Sequence, residues 1–181
     1  MGVENNMPEG WNDTTLGIVS NIFGGYAFKG SDFLKEGTVR VIKIKDIRPP
    51  YVDMNNTNFI KIDNYETNKL KKFKLLEKDF VIAMTGATIG KVGLIIDDQE
   101  AYLNQRVAKI EEVDSISNKK YLYYQVIQQK FKKFIDNVSS GSSAQQNVSA
   151  NDIGLFPICL PPLSEQKAIA KVLTAFDDKI E

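Results

Sequence analysis

The chain has 181 residues, of which 43% are hydrophobic, and its 23 basic and 23 acidic side chains give a formal net charge of zero. That length suits one hydrophobic core with a helical extension. Zero net charge excludes a global basic field, so any DNA-binding surface has to be a local patch. The sequence contains no histidine, which excludes His-based triads, His metal ligands and His general bases.

The sequence predicts a soluble, cytoplasmic protein. Its single cysteine, Cys159, excludes an internal disulfide and metal-finger spacings and suits a reducing cytosol. No stretch approaches the roughly 18 apolar residues that a membrane helix needs, and the start of the chain is polar, without a signal-like core.

The first strand-like segments of the chain carry candidate binding residues. Residues 16–23 form a short apolar segment, which Gly24 and Gly25 close; glycine gives the backbone conformational freedom there. In residues 39–47 the apolar positions alternate at 39 and 41, then at 42 and 44. This phase slip predicts a strand with a β-bulge. Lys43 and Lys45 then share one strand face, either as solvated lysines or as DNA contacts.

Residues 53–78 are polar and irregular and predict a long loop. In one interpretation the loop is a run of solvated charges that binds no ligand. In the other it reaches DNA, where its lysines neutralise phosphates and supply sequence-independent affinity. Both interpretations stay open for its asparagines and lysines, which are Asn55, Asn56, Asn58, Asn64, Asn68, Lys69, Lys71, Lys72 and Lys74.

Residues 80–84 predict a buried strand that leads into a glycine-rich segment. This segment is not a phosphate-binding loop, because only three residues separate Gly86 from Gly90 and Val92 stands where Ser or Thr should hold magnesium. A hairpin connection with glycines at positive φ is predicted instead. Beyond it, residues 104–106 (Asn-Gln-Arg) could bind base edges, since Arg forms bidentate hydrogen bonds with guanine, and Asn or Gln with adenine. They also suit a buried turn.

From residue 118 to residue 137 the apolar period is helical, and the opposite face is basic and amide-rich. The small polar loop at 138–147 follows. It is either a flexible linker, because ordering it costs entropy, or a loop whose Ser and Gln side chains grip phosphates or base edges. The predicted apolar face of the helix consists of Tyr124, Ile127, Phe131 and Phe134.

The end of the chain predicts a helix after Pro161 and Pro162. Ser164 can cap its first amides, and Glu165 suits the positive end of the helix dipole. An apolar seam runs along it, but a helix of about four turns is not stable alone. The helix therefore packs on its own domain or on a partner through Ile169, Leu173, Phe176 and Ile180.

Residues 160–170 (Leu-Pro-Pro-Leu-Ser-Glu-Gln-Lys-Ala-Ile-Ala) resemble the boundary motif of type I restriction-modification specificity subunits. In that family the motif joins a target recognition domain to a long spacer helix. Less specific segments resemble the family in the same order at 24–33, 86–91, 102–107 and 141–147. The resemblance implies an α+β fold. A target recognition domain with a mixed or antiparallel sheet and flanking helices spans residues 7–160, and a coiled-coil spacer helix begins over residues 161–181.

The resemblance also implies a function. The chain would be a non-catalytic, DNA-binding specificity subunit that reads one half of a bipartite site, directs methyltransferase and restriction subunits to it, and needs no cofactor or metal. Full members carry two recognition domains and two antiparallel spacer helices, so this chain looks like half a subunit, completed by a second domain or a second copy. The candidate DNA contacts are Lys29, Lys43, Lys45, Thr85, Thr88, Lys91, Asn104, Gln105, Arg106, Ser142, Ser143, Gln145, Gln146 and Asn147.

Two other classes of function stay open. An assembly module would use the C-terminal helix to recruit a partner, without affinity for DNA. A nuclease would hold magnesium with Asp97, Asp98 and Glu100. An adenine methyltransferase is excluded, because residue 48 is an arginine where such an enzyme needs Asn or Asp before Pro-Pro-aromatic, and because the chain lacks an early glycine-rich turn for S-adenosylmethionine.

Overall fold

The computed structural model describes residues 7–140, 146–177 and 179. In these ranges the chain forms strands and helices in irregular alternation, and the α+β fold class predicted from the sequence is confirmed. The strands are β1 (Asn12–Thr15), β2 (Ser20–Gly24), β3 (Phe33–Leu34), β4 (Arg40–Ile42), β5 (Ile47–Arg48), β6 (Tyr51–Val52), β7 (Asn58–Ile60), β8 (Lys74–Leu75), β9 (Phe80–Ala83), β10 (Val92–Leu94), β11 (Ala101–Leu103), β12 (Val107–Glu112) and β13 (Pro157–Leu160). The helices are α1 (Leu16–Val19), α2 (Thr67–Leu70), α3 (Lys119–Val126), α4 (Gln129–Ser140), α5 (Ala150–Gly154) and α6 (Leu163–Asp177).

A six-stranded mixed sheet in the order β2-β12-β9-β10-β6-β5 lies at the centre of the fold. Its strand β9 is buried on both faces. Phe80 and Ile82 pack in the core beneath the helices, whereas Val81 and Ala83 pack in a second core against the other sheet. A strand with two buried faces reads as a continuous apolar run, and the predicted buried strand at 80–84 is confirmed.

The connection after β9 is the predicted hairpin. Strands β9 and β10 pair antiparallel, with Val92 opposite Ile82. Gly86 and Gly90 have φ angles of 69° and 75°, a left-handed conformation that glycine adopts without steric cost.

A five-stranded sheet in the order β3-β7-β4-β11-β8 packs on the second core. The predicted strand at 39–47 is wrong in its middle: β4 ends at residue 42, and residues 44–46 form a 3-10 turn before β5 begins in the central sheet. The Asp46 carboxylate fixes this turn by accepting a hydrogen bond from the Lys43 amide at 2.8 Å. The phase slip therefore marks a change of sheet rather than a bulge, and Lys43 and Lys45 share no strand face.

The predicted loop at 53–78 is also more regular than its composition indicates. It contains β7, α2, β8 and 3-10 turns at residues 62–64 and 71–73. Leu70 is fully buried and Phe73 is 8% exposed. These apolar anchors hold the polar segment against the second core, because each buries a large apolar surface.

The helix predicted over 118–137 is two helices, α3 and α4, with a break at residues 127 and 128. Asn118 caps α3, since its side-chain oxygen accepts a hydrogen bond from the Tyr121 amide at 3.1 Å. Phe131 is fully buried, as predicted, but Ile127 lies at the break and is 45% exposed. Tyr124, Phe131 and Phe134 still pack in the same core, so Ile127 is the residue that leaves the predicted apolar face.

Helix α6 begins where the prolines predict, but its cap differs from the prediction. The carbonyl of Pro162 accepts hydrogen bonds from the Glu165 and Gln166 amides, so Ser164 lies inside the first turn. The Glu165 carboxylate accepts a hydrogen bond from Trp11 Nε1 at 2.9 Å. Next to this contact, β13 pairs antiparallel with β1 near the start of the chain.

The apolar seam of α6 is divided between the domain and the solvent. Ile169 and Leu173 pack against the core beneath the helices, whereas Phe176 is 59% exposed. The fourth seam residue, Ile180, lies outside the described residues. No helix over the described ranges is long and apolar enough to cross a lipid bilayer.

Candidate nucleic-acid interface

A tight turn at residues 104–106 joins β11 to β12 and carries exposed polar side chains. Its main chain is held at three points: the Val107 amide donates to Asn104 O at 2.9 Å, the Gln105 amide donates to Tyr26 O at 3.0 Å, and the Met84 amide donates to Arg106 O at 3.0 Å. The side chains of Gln105 and Arg106 are exposed and form no hydrogen bond or ion pair with described residues. A fixed backbone thus presents a carboxamide and a guanidinium to solvent.

Gly25 lets this turn approach β2. A Cβ atom built on Gly25 would lie 2.2 Å from Leu103 O and 2.3 Å from Asn104 O, and no side chain fits there. Its φ angle is outside the left-handed region. The glycine is therefore required by close approach, not by the conformational freedom that the sequence predicts.

Residues 147–149 form the opposite wall of a cleft beside this turn. The Val148 amide donates to Met84 O at 2.9 Å, and the Gly86 amide donates to Gln146 O at 3.2 Å. Thr85 and Asn147 form an antiparallel bridge. The cleft has a volume of about 480 Å³ and is lined by Met84, Thr85, Gln105, Arg106, Asn147, Val148 and Ser149.

The cleft is suited to recognition rather than to proton transfer. Its lining side chains offer a guanidinium, two carboxamides and hydroxyls, which are the donors and acceptors that read base edges or hold phosphates. Val148 is buried beneath it. Ser149 serves the scaffold, since it caps α5 through reciprocal hydrogen bonds with Asp152.

The fold brings together one group of the sequence-predicted contacts. Residues far apart in the sequence meet here through main-chain pairing: Thr85, Asn104, Gln105, Arg106, Gln146 and Asn147. Three further candidates, Ser142, Ser143 and Gln145, lie outside the described residues.

Other candidates lie away from the cleft lining. The Lys43 ammonium donates to Asn58 Oδ1 at 3.1 Å and sits 3.5 Å from the Phe33 ring centroid; burial lowers its pKa, although Asp46 opposes the shift. Lys45 donates to Asn56 O at 2.9 Å. Both lysines have structural partners in or beside the second sheet.

The remaining candidates lie at the β9–β10 hairpin and beside Tyr65. Lys91 is exposed beyond the β9–β10 turn. Thr88 does not line the cleft, and its hydroxyl is buried without a hydrogen-bond partner among the described residues. Lys29 is exposed, and its amide donates to the Tyr65 hydroxyl at 3.0 Å.

Of the three acidic residues considered for a nuclease, Asp97 and Glu100 form hydrogen bonds with neighbouring residues. Asp97 accepts hydrogen bonds from the amide and side chain of Gln99. Glu100 accepts from Lys74 Nζ at 2.9 Å, and this hydrogen bond lowers the pKa of the Glu100 carboxyl. Over the described ranges, no group of three or more His, Cys, Asp or Glu side chains is placed to hold a metal ion.

A second depression is lined by lysines of the segment 53–78, for which the sequence left two interpretations open. It measures about 800 Å³ and is lined by Tyr26, Asn68, Lys69, Lys71, Lys72 and Phe73. We call it the lysine groove. One pattern in the sequence could have predicted this groove. The apolar residues Leu70 and Phe73 lie three residues apart and are buried on one face, so the lysines between and beside them face the solvent.

The profile of the family described as "Type I restriction modification DNA specificity domain" matches residues 8–181. The chain is 31% identical over 179 residues to the type I restriction enzyme MjaVIII specificity subunit of Methanocaldococcus jannaschii, covering 97% of this chain and 41% of the relative. It is 29% identical over 168 residues to the EcoBI specificity subunit of Escherichia coli, covering 91% of this chain and 32% of the relative. The chain thus spans well under half the length of these relatives.

Solved structures share the fold. The HsdS subunit from Thermoanaerobacter tengcongensis aligns over 98% of this chain and 40% of its own, with a TM-score of 0.68 and 18% identity. A chain solved in work on complex assembly and conformational transition of the type I R-M system aligns over 98% of this chain and 40% of its own, with a TM-score of 0.73 and 18% identity. These likenesses concern the fold alone.

Proposed function

Because this chain belongs to the type I restriction modification DNA specificity domain family, we propose that it reads one half of a bipartite DNA site. The observation that carries this proposal is the cleft, where a turn with a fixed main chain exposes Gln105 and Arg106 beside Thr85 and Asn147. An arginine can fork onto guanine O6 and N7, and a carboxamide onto adenine N6 and N7. Residues 7–160 would form the recognition domain.

The rest of the proposed role concerns assembly. The chain would be a non-catalytic part of a cytoplasmic restriction-modification enzyme, whose methyltransferase and restriction activities belong to other subunits. Residues 161–181 would begin a spacer helix that joins this domain to a second one, or to a second copy, at the other half-site. Support comes from the exposed apolar side chains at its far end, since Val172 is 55% and Phe176 59% exposed.

The test is selection from a randomised duplex pool by the chain bound to its methyltransferase subunit, at low and moderate salt. We expect a short motif to be enriched and the affinity to fall steeply with salt, because phosphate contacts release counterions. Arg106→Ala should relax the preference at one position and cost about 1–3 kcal/mol of discrimination.

The matched control is Lys171→Ala, which removes an exposed charge from α6 and should leave the motif unchanged. Stable binding of the methyltransferase subunit with no enriched motif would overturn the proposal. The chain would then be an assembly module without sequence recognition.

A further inference from the structure

The lysine groove concentrates positive charge on a chain whose net charge is zero. Residues 67–74 contain four lysines and no carboxylate. Lys69, Lys71 and Lys72 are exposed, while the buried side chains of Leu70 and Phe73 anchor the segment. The charges therefore stand on an ordered support, so binding a ligand costs little backbone entropy.

Aromatic rings form one wall of the groove. The rings of Tyr26 and Phe73 lie 5.5 Å apart, and Tyr65 packs edge-on against Tyr26 at 5.7 Å. The Lys72 ammonium lies 4.9 Å from the Phe73 ring centroid. A low-dielectric wall beside clustered charges focuses their field into the groove and favours an anionic ligand.

Most of this charge is not neutralised within the protein. Lys69 forms an exposed ion pair with Glu66 at 2.7 Å, and exposed pairs of this kind are weak and screened by salt. Neither the Lys71 nor the Lys72 ammonium has an ion-pair partner in the part of the chain that the structure describes. The groove thus offers two unpaired cations and a third held by an exchangeable contact.

Tyr26 connects the groove to the cleft. Its main chain donates to Leu103 O at 2.8 Å and accepts from the Gln105 amide at 3.0 Å, so it anchors the turn that carries Gln105 and Arg106. Its side chain lines the groove. The residue that anchors the turn of the cleft through its main chain therefore also lines the groove through its side chain.

We infer that the lysine groove binds the phosphate backbone of the duplex whose base edges the cleft reads. This inference rests on the proposed function and adds a division of labour: the groove supplies sequence-independent affinity, and the cleft supplies sequence preference. Phosphate contacts fix the register of a protein on a duplex but carry no direct sequence information.

The test uses a triple variant, Lys69→Gln, Lys71→Gln and Lys72→Gln, with a random-sequence duplex as probe. Because phosphate contacts are independent of sequence, the recognition site need not be known. Fluorescence anisotropy in a salt series should show the slope of log K against log salt reduced in magnitude by about 2–3, since each lost contact removes roughly one.

Two further triples serve as controls. Lys120→Gln, Lys167→Gln and Lys171→Gln removes the same charge from another depression, between α3 and α6, and should leave the slope unchanged. The triple variant Lys69→Arg, Lys71→Arg and Lys72→Arg keeps the charge and should show the salt slope of the unchanged protein. The groove triple should also enrich the same motif as the unchanged protein from a randomised pool.

The outcomes separate the two proposals. If the unchanged protein binds DNA and the groove triple keeps its salt slope, the inference about the groove is overturned and the proposed function stands. A changed motif for the groove triple would equally overturn the phosphate role, because it would assign base reading to these lysines. If the unchanged protein binds no duplex even with its methyltransferase subunit, both proposals fail.

Discussion

Gln166 ties α6 to the helical side of the domain, and its replacement tests how that helix is fixed. The side chain is fully buried. Its oxygen accepts a hydrogen bond from the Asn118 amide at 2.9 Å, and its nitrogen donates to Ile116 O at 3.0 Å and to Pro161 O at 2.9 Å. Three main-chain groups therefore depend on one side chain.

Gln166→Leu keeps a similar volume but satisfies none of these groups. A buried main-chain group that loses its partner costs about 1–3 kcal/mol. Residue Ile116 is 43% exposed, so its carbonyl can bond to water, and two groups carry most of the loss. We therefore expect the free energy of unfolding to fall by about 2–6 kcal/mol, which lowers Tm by about 4–24 °C in a domain of this size.

Thermal unfolding followed by circular dichroism measures this loss. The matched control is Lys167→Ala at the next position of α6, where the side chain is exposed and the expected change is within about 0.5 kcal/mol. The folded Gln166→Leu protein should keep its DNA affinity, since Gln166 does not line the cleft. A Gln166→Leu protein that melts within about 1 °C of the unchanged protein would refute the reasoning.

Two further predictions concern the turn and a buried tyrosine. Gly25→Ala places a Cβ 2.2 Å from Leu103 O, so chemical denaturation should show a loss of about 1–3 kcal/mol in stability, and DNA binding should weaken. The control is Gly30→Ala, where the added Cβ meets open space and the stability should not change. Equal stability of the two variants would contradict the close approach at Gly25. Burial, reinforced by Cys159, raises the pKa of Tyr121 to about 12. An unfolded tyrosine ionises near pH 10, so Tyr121 contributes stability that is fully present below about pH 10 and is lost as the pH rises to about 12. Tyr121→Phe should remove the latest step of the tyrosinate absorbance titration, and an unchanged titration would show that Tyr121 ionises normally.

Local patterns revealed the elements that depend on local chemistry. The continuous apolar run at 80–84 predicted β9, and the glycines at 86 and 90 predicted a hairpin with positive φ angles. The two prolines predicted the start of α6, although the capping carbonyl belongs to Pro162 rather than to a serine side chain. These features are readable because the residues that cause them are neighbours in the chain.

Long-range contacts decided the elements that the sequence did not reveal. The β-branched residues at 39–47 favour one continuous strand. The strand ends at residue 42 instead, because the Asp46 carboxylate holds residues 44–46 in a 3-10 turn and the chain then joins the other sheet. The amide and guanidinium chemistry of residues 104–106 was visible in the sequence. Their meeting with residues 84–85 and 146–147 was not, because it depends on strand pairing between distant segments.

Different kinds of contact hold the cleft and the first turn of α6. Substitutions at the two places should therefore differ in their effect on stability. Main-chain hydrogen bonds fix the cleft, so the side chains at 105 and 106 can change without disturbing the scaffold. At the start of α6, by contrast, three main-chain groups depend on the side chain of Gln166. Substitutions at 105 and 106 should therefore alter which DNA is bound at nearly constant stability, whereas substitution at 166 should lower stability at nearly constant DNA preference. Under the proposed function, this arrangement would let the DNA preference change while α6 keeps its orientation on the domain.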